Sequence, residues 1–253
     1  MKTFITEFHE RQEDVREYLK LLIFFDSLAT NKRKTIEGES YNGKIISFLP
    51  NRECQKILRA NLYLLLYNLV ESTINTIIIV VKDAINDENV SLDKLETRLI
   101  NLHIAGIYKD VTSTNKILER SKDLYRKATN KESVFIEKFG FNTSGNVDYD
   151  YFQKIVGAIG CRSRVNLDEE KVKVAMIRTK DHRNRLAHGN CSFSSAGSML
   201  TLQQIREDYD CIVDFLKQSL DNLEIFLNSK KYLKGKGLCP KLSTKLSSGN
   251  NRN

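Results

Sequence analysis

The sequence has 253 residues, of which 41% are hydrophobic and 28% charged, with only two prolines and a formal net charge of +8. A chain of this length and composition can bury a core, which excludes general disorder, and the scarcity of proline favours long helices over a turn-rich β architecture. We therefore expect an all-α protein.

The basic residues are concentrated at the C-terminal end. Residues 229–253 contain seven lysines and arginines and no acidic residue, so residues 1–228 have a net charge of only +1. This distribution excludes a uniformly polycationic body of the kind that coats duplex DNA. We expect residues 1–228 to form a single helical domain, and residues 229–253, rich in lysine, serine and glycine, to form a disordered basic tail.

Cysteine and histidine spacing argues against disulfides and metal sites. The five cysteines show no CxxC pair, the four histidines form no HxxxH pair, and the first residues, MKTFITEFHERQ, lack the apolar core of a signal peptide. We therefore expect a cytoplasmic protein with reduced cysteines and with neither a metal nor another cofactor.

The N-terminal half is predicted to contain two long helices. The first spans residues 3–29, with Val15, Leu19 and Leu22 on its apolar face, and a loop with a short extended piece near residues 44–49 follows it. The second helix, residues 52–86, contains LYLLLYNLVESTINTIIIVV, which is long enough to cross a bilayer. Polar residues interrupt this run, so we favour a buried central helix with apolar neighbours on both sides and expect no membrane contact.

A line of polar side chains follows the second helix at spacings of seven, three and four. It consists of Asn61, Asn68, Glu71 and Asn75. Buried polar groups need partners, so the line predicts either a structural hydrogen-bond network within the bundle, which we favour, or a role for Glu71 in pairing with Arg183, Arg178 or His182.

The second half is predicted to be helical with one irregular segment. We expect one or two helices in residues 91–128, starting with Ser91 as N-cap, and an insertion or small subdomain at residues 129–165 with a short helix at 148–159. A helix at residues 167–188, capped by Asn166 or Asp168 and closed by Gly189, precedes a last helix at 202–227.

The segment IRTKDHRNRLAHGN, residues 177–190, is the most informative for chemistry. His182 falls on the inward stripe of its helix, which predicts a core or auxiliary histidine, whereas Asn184 and His188 share another face with Arg183 at its shoulder. A guanidinium can bind a phosphate, and an imidazole exchanges protons near neutral pH. This set suits RNA cleavage without a metal, since the reaction needs a base, an acid and a cation.

Arg183-Asn184-Arg185-Leu186-Ala187-His188 resembles the Rx4-6H signature of the HEPN superfamily, in the form with a polar residue directly after the arginine. Its position is also similar, since it ends a penultimate core helix that is followed by a loop and one long helix. The stretch ANLYLLLYNLVESTI resembles the corresponding helix of compact prokaryotic HEPN proteins found beside defence genes. The resemblance covers about residues 1–228.

The resemblance implies a helical bundle that forms a homodimer, with two motifs facing each other across a cleft, and a metal-independent endoribonuclease used as a toxin or antiviral effector. Arg183 would orient or neutralise the scissile phosphate, His188 would act as general base or acid, and Asn184 would hold the substrate or the histidine. Glu71 and His182 would be auxiliary residues. An antitoxin or another defence-system protein is a further expected partner.

Charge around the motif indicates where RNA would bind. Residues 171–189 have a net charge of +5, and Arg178, Lys180 and Arg185 are predicted to contact substrate. Two other interpretations remain open. The segment can be a solvated basic helix end, or the protein can be a noncatalytic HEPN scaffold that binds RNA, a nucleotide or a partner protein.

Overall fold

The computed structural model describes residues 2–30, 35–141, 145–161 and 166–235. Within these ranges the chain forms one β-hairpin, a 3-10 turn at Leu92–Lys94 and eight α-helices, which confirms the all-α prediction. The helices are α1 (Lys2–Thr30), α2 (Arg52–Asp87), α3 (Thr97–Tyr108), α4 (Thr114–Asn130), α5 (Tyr149–Ile159), α6 (Glu169–Ala187), α7 (Phe193–Ser198) and α8 (Leu202–Asn228). The hairpin pairs β1 (Ile36–Glu39) antiparallel with β2 (Ile45–Phe48), where an extended piece was predicted.

Helix α2 lies at the centre of the bundle. It starts after Asn51, whose side chain accepts a hydrogen bond from the Cys54 amide at 2.9 Å, and it packs against α1, α5, α6, α7 and α8. Among the described residues it is the one helix whose length and composition would suffice for a membrane span. Its buried row runs from Tyr63 to Ile85, which supports the core-helix prediction.

The prediction of apolar neighbours on both sides of α2 is wrong for part of its length. Ile79 is 50% exposed, and Ser72 and Thr76 are only partly covered. The row that contains them borders a groove between α1 and α2. Helical periodicity identifies an apolar row, but it cannot show whether a neighbouring helix lies close enough to cover it.

The region after α2 begins differently from its prediction. The Ser91 hydroxyl donates to Asp93 within the 3-10 turn and does not cap a helix, while α3 starts later with Glu96 at its N-cap. Ser91 therefore fails as the predicted cap because its side chain bonds locally to another side chain.

The described part of residues 129–165, predicted as an insertion, contributes several buried side chains to the main core. Val134, Ile136, Phe139 and Phe152 are buried in the same hydrophobic cluster as α2 and α8. Helix α5 starts at the capping side chain of Asp148 and ends at Gly160. The segment therefore has no separate core in its described part, and its status as an insertion stays a prediction.

Helices α6, α7 and α8 complete the bundle around α2. The inward stripe of α6, predicted from helical spacing as Val172, Ala175, Thr179, His182 and Leu186, is buried over its first four residues, whereas Leu186 is only half-buried. Helix α7 approaches α2 so closely that a Cβ atom on Gly197 would lie 1.8 Å from the Lys56 carbonyl oxygen. Only glycine permits this contact between two backbones.

The chain continues to pack onto the body beyond α8. Tyr232 is buried, its ring centre lies 6.2 Å from that of Phe226, and its carbonyl accepts a hydrogen bond from the Glu96 amide at 3.0 Å. Residues 229–235, predicted as part of the tail, are thus ordered on the bundle. The remaining tail, residues 236–253, lies outside the described residues.

Candidate active site at the end of helix α6

The RNRLAH motif occupies the last turns of α6. The helix begins with the Asp168 side chain accepting a hydrogen bond from the Lys171 amide, with Glu169 and Glu170 in its first turn, where acidic groups are favoured. It ends at Ala187, and His188 is its C-cap. Gly189 follows with φ of +66°, the left-handed conformation predicted for it.

Arg183 is the best-anchored residue of the motif. Its Nη1 donates to the Gly145 carbonyl at 2.7 Å and to Asn184 Oδ1 at 2.8 Å, and its guanidinium lies 4.4 Å from the centre of the Tyr67 ring. Its Nη2 is 4.0 Å from Glu71 Oε2. The Arg183 side chain, a quarter exposed, is therefore held in one orientation and still reaches solvent.

Asn184 continues the same network. While its Oδ1 accepts from Arg183, its Nδ2 donates to Asn146 Oδ1 at 2.9 Å. The structure thus brings together the arginine and the polar residue directly after it, and ties both to the segment at residues 145–148.

Residues 145–148 contact the site through two further hydrogen bonds. The Val147 amide donates to the Tyr67 hydroxyl at 3.1 Å, and Lys180 Nζ donates to Asp148 at 2.8 Å. Lys180, predicted to contact substrate, thus pairs with an acidic residue, which lowers the pKa of Asp148 against the opposing effect of burial. Sequence reasoning did not identify Gly145, Asn146 or Tyr67 as site residues.

His188 differs from the rest of the motif because its side chain is exposed. It makes no hydrogen bond or ion pair with the part of the chain that the structure describes, although its backbone amide donates to Asn184 at 3.0 Å. An imidazole in this setting is accessible to solvent and can exchange protons with a bound molecule.

The opposite side of α6 has a buried polar network. Arg178 Nη1 donates to both carboxylate oxygens of Asp208 at 2.6 and 2.7 Å, and the Tyr63 hydroxyl donates to the same carboxylate at 2.6 Å. Gln204 accepts from Arg178 when its amide is oriented to suit this arginine. Arg178 is therefore committed to a structural ion pair, which does not favour its predicted role in substrate binding.

His182 belongs to this second network. Its ring stacks on Tyr63 with centres 4.9 Å apart, and burial, together with Arg185 and Arg178, lowers its pKa. Its Nδ1 is buried without a hydrogen-bond partner among the described residues. The structure thus places His182 in the core, apart from Arg183 and Asn184. Arg185 lies beside His182, and one of its guanidinium nitrogens is 3.8 Å from the Met199 sulfur.

The basic charge of α6 is largely compensated. Five of its six basic side chains have an acidic partner, and the pairs are Lys171–Asp168, Lys173–Asp150, Arg178–Asp208, Lys180–Asp148 and Arg183–Glu71. Arg185 has no acidic partner within the described ranges. The sequence count of +5 therefore overstates the attraction of this helix for a polyanion.

The polar line on α2 does not form the buried network that we favoured. Asn68 is exposed, Asn61, Glu71 and Asn75 are partly exposed, and Glu71 faces Arg183. The second interpretation, in which Glu71 pairs with a motif arginine, agrees with the structure.

Within the described ranges, no group of three or more His, Cys, Asp or Glu side chains could hold a metal ion. The four described cysteines, Cys54, Cys161, Cys191 and Cys211, are free, and Cys239 lies outside those ranges.

Comparison with known families places this bundle and its motif in one class. The chain is a HEPN domain protein, since a HEPN family model matches residues 1–232. It belongs to the HEPN_MAE_28990-like HEPN family, which confirms the superfamily indicated by the motif. HEPN domains are often ribonucleases or nucleotide-binding modules. No curated protein and no solved structure matches the chain.

Proposed function

We propose that this protein is a metal-independent endoribonuclease that acts as a homodimer. The observation that supports the proposal best is the hydrogen bonding of the Arg183 guanidinium. One guanidinium nitrogen is fixed by Gly145 and Asn184, whereas Nε and Nη2 make no hydrogen bond with the described part of the chain. An oriented guanidinium with free donors suits a phosphate, and the exposed His188 lies in the same motif.

The chemistry follows from these two side chains. His188 as general base takes the proton of a ribose 2′-hydroxyl, and the oxygen attacks the adjacent phosphorus. Arg183 stabilises the negative charge that develops on the phosphoryl oxygens. An imidazolium then protonates the departing 5′-oxygen, so that the products carry a 2′,3′-cyclic phosphate and a free 5′-hydroxyl.

A dimer supplies the second imidazole. Arg183 and His188 are five residues apart, about 140° around an ideal helix, so one copy presents them in different directions. Two copies related by a twofold axis would bring Arg183 of one subunit near the partner subunit's His188. One histidine then serves as base and the other as acid.

The proposed setting is the cytoplasm, where the enzyme would act on RNA as a toxin or antiviral effector. An antitoxin or another defence-system protein would restrain it. HEPN family membership supports this proposal.

Cleavage of RNA in the presence of EDTA tests the activity. We expect the purified protein to generate 2′,3′-cyclic phosphate ends, and His188→Ala or Arg183→Ala to slow the reaction by roughly 10²- to 10⁴-fold. His9→Ala is the matched control, since His9 is an exposed histidine on α1. Unchanged cleavage by the double variant His188→Ala/Arg183→Ala would disprove the proposal.

The charge compensation on α6 favours one second candidate, a noncatalytic domain that binds a nucleotide. At the motif end of α6, Arg185 and part of Arg183 are available to an anion among the described residues, which suits a small phosphate ligand better than a long RNA. Saturable binding of ATP or GTP that depends on Arg183, without any new RNA ends, would establish this alternative.

A further inference from the structure

A polar groove of about 460 Å³ lies between α1 and α2. It is lined by Glu7 and Arg11 of α1 and by Asn68, Glu71, Ser72, Asn75, Thr76 and Ile79 of α2. Most of these side chains carry hydrogen-bonding groups, and the half-exposed Ile79 adds an apolar surface. The groove therefore offers both polar recognition and an apolar contact for a flat ligand.

Two amides in this groove are free to bind a ligand. The side chains of Asn68 and Asn75 make no hydrogen bond with the described part of the chain. They are two turns apart on one stripe of α2, a span of about 10 Å along the helix axis. Each amide offers donors and an acceptor, which is the combination that recognises the edge of a nucleobase.

Glu71 connects the groove to the candidate active site. It lies between Asn68 and Asn75 on the same stripe, and its carboxylate is also the acidic neighbour of Arg183 at 4.0 Å. A phosphate bound by Arg183 would therefore place the next nucleotide beside Glu71, within reach of the groove.

Charge along the groove limits how much RNA can enter. Arg11 lines the groove and has no acidic partner in the described ranges, so it is available to a phosphate. The adjoining cavity, which shares Glu7, Thr76 and Ile79, is lined by Asp83, Asp87 and Glu88. Glu88 pairs with Lys230 and Asp83 contacts Lys82, whereas Asp87 has no basic partner within the described ranges. The cavity therefore keeps some negative charge, which disfavours a phosphate in that direction.

We infer that this groove binds the nucleobase next to the scissile phosphate of a single-stranded RNA, and that Asn68 and Asn75 determine base preference. The inference rests on the proposed ribonuclease function. It predicts a preference confined to one or two positions beside the cleaved bond, because the adjoining acidic cavity disfavours further phosphates.

Selection from a random-sequence RNA pool tests the inference without cleavage. RNA bound by the His188→Ala protein is sequenced and compared with RNA bound by His188→Ala/Asn68→Ala/Asn75→Ala. We expect the enrichment of the preferred base to fall about tenfold. His188→Ala/Asn61→Ala is the matched control, since Asn61 lies on the same polar line but does not line the groove.

A second pair of substitutions distinguishes hydrogen bonding to the base from an effect of side-chain size on the groove. Asn68→Asp and Asn75→Asp, made together in the same background, keep the size of the side chains but remove their donors and add two negative charges. They should therefore reduce the amount of RNA bound and also change which base is preferred. Circular dichroism and thermal unfolding verify that each variant is folded.

The outcomes distinguish the inference from the proposed function. Equal enrichment with and without the two asparagines, or no enrichment in the His188→Ala parent, would overturn the role of the groove. That result together with RNA cleavage by the unmodified protein leaves the ribonuclease proposal intact. Absence of cleavage together with asparagine-dependent enrichment rejects the nuclease and retains the base-binding groove.

Discussion

Two arginines of α6 face acidic side chains, and the two pairs differ in burial and geometry. Arg178 meets Asp208 at 2.6 Å, and the Asp208 side chain is only 7% exposed. Arg183 meets Glu71 at 4.0 Å, and the Glu71 side chain is 26% exposed. The exposed fractions of the two arginines are nearly equal, at 26% and 25%, so the difference lies in their partners.

The comparison separates a structural cation from an available one. The Asp208 carboxylate accepts hydrogen bonds from both Arg178 and Tyr63, so neither partner can leave without exposing an unpaired buried group. The Arg183 pair is longer and reaches solvent, and water or a phosphate can replace Glu71 at little cost. Two arginines in one helix therefore differ in how readily their acidic partners can be replaced.

Breaking the buried pair should have the largest effect on stability. Asp208→Ala leaves the Arg178 charge and the Tyr63 hydroxyl without their acceptor, and we expect it to lower the free energy of unfolding by about 3 kcal/mol. Urea denaturation measures the change. Asp214→Ala, at an exposed position on the same helix, is the control and should alter the free energy of unfolding by less than about 0.5 kcal/mol. An equally small loss for Asp208→Ala would show that the Arg178–Asp208 pair is not structural.

A change at Gly145 tests whether the backbone positions Arg183. Gly145 has φ of +71°, and an added Cβ would lie 3.3 Å from both Nη atoms of Arg183. We expect Gly145→Ala to cost about 1 kcal/mol in stability and to reduce RNA cleavage about tenfold. Gly43→Ala, at φ of +73° in the hairpin turn, is the control for backbone strain alone and should leave cleavage unchanged.

The buried side of α6 should make stability depend on pH. Burial lowers the pKa of His182 in the folded protein. When the pH falls below about 6.5, the ordinary pKa of a histidine side chain, the unfolded chain therefore binds more protons than the folded protein. The stabilising contribution of neutral His182 is present above this pH and is lost below it. We expect His182→Phe, which preserves the stacking on Tyr63, to weaken the decline in unfolding free energy between about pH 7 and about pH 5.5. An unchanged decline would exclude His182 as its source.

Removing the acidic partner of Arg183 should have the smallest effect. Glu71→Gln abolishes a long, solvent-accessible pair, and we expect the free energy of unfolding to change by less than about 1 kcal/mol. Thermal denaturation of the Glu71→Gln and Asp208→Ala variants, measured side by side, gives the direct comparison. A loss as large as that of Asp208→Ala would mean that both pairs are structural.

Local sequence signals predicted the helices and the location of the motif. Periodic apolar residues predicted α1, α2, α6 and α8. The predicted caps, Asn166 or Asp168 at the start and Gly189 at the end, placed the ends of α6 closely, and the structure shows Asp168 as the N-cap. These features depend on residues within a few positions of one another, which is the range over which sequence patterns are informative.

Contacts between distant residues could not be predicted in this way. Arg178 and Asp208 are 30 residues apart, and Gly145 reaches Arg183 across 38, so nothing in either local pattern indicates the pairing. The sequence also could not show that acidic residues of other elements compensate α6. For the same reason Asn68 was predicted to lie in a buried network, although it is exposed. A helical wheel does not show which neighbouring element covers a face of the helix.

The contact between Gly197 and Lys56 restricts how mutational data on this protein can be interpreted. The position lies only nine residues after His188, yet its constraint is steric, because no side chain fits between the two backbones. In a survey of all single substitutions, position 197 would rank among the intolerant sites near the motif. Intolerance to substitution and proximity in the chain are therefore insufficient evidence for a catalytic role here, and a variant counts toward the chemistry only if its fold is intact.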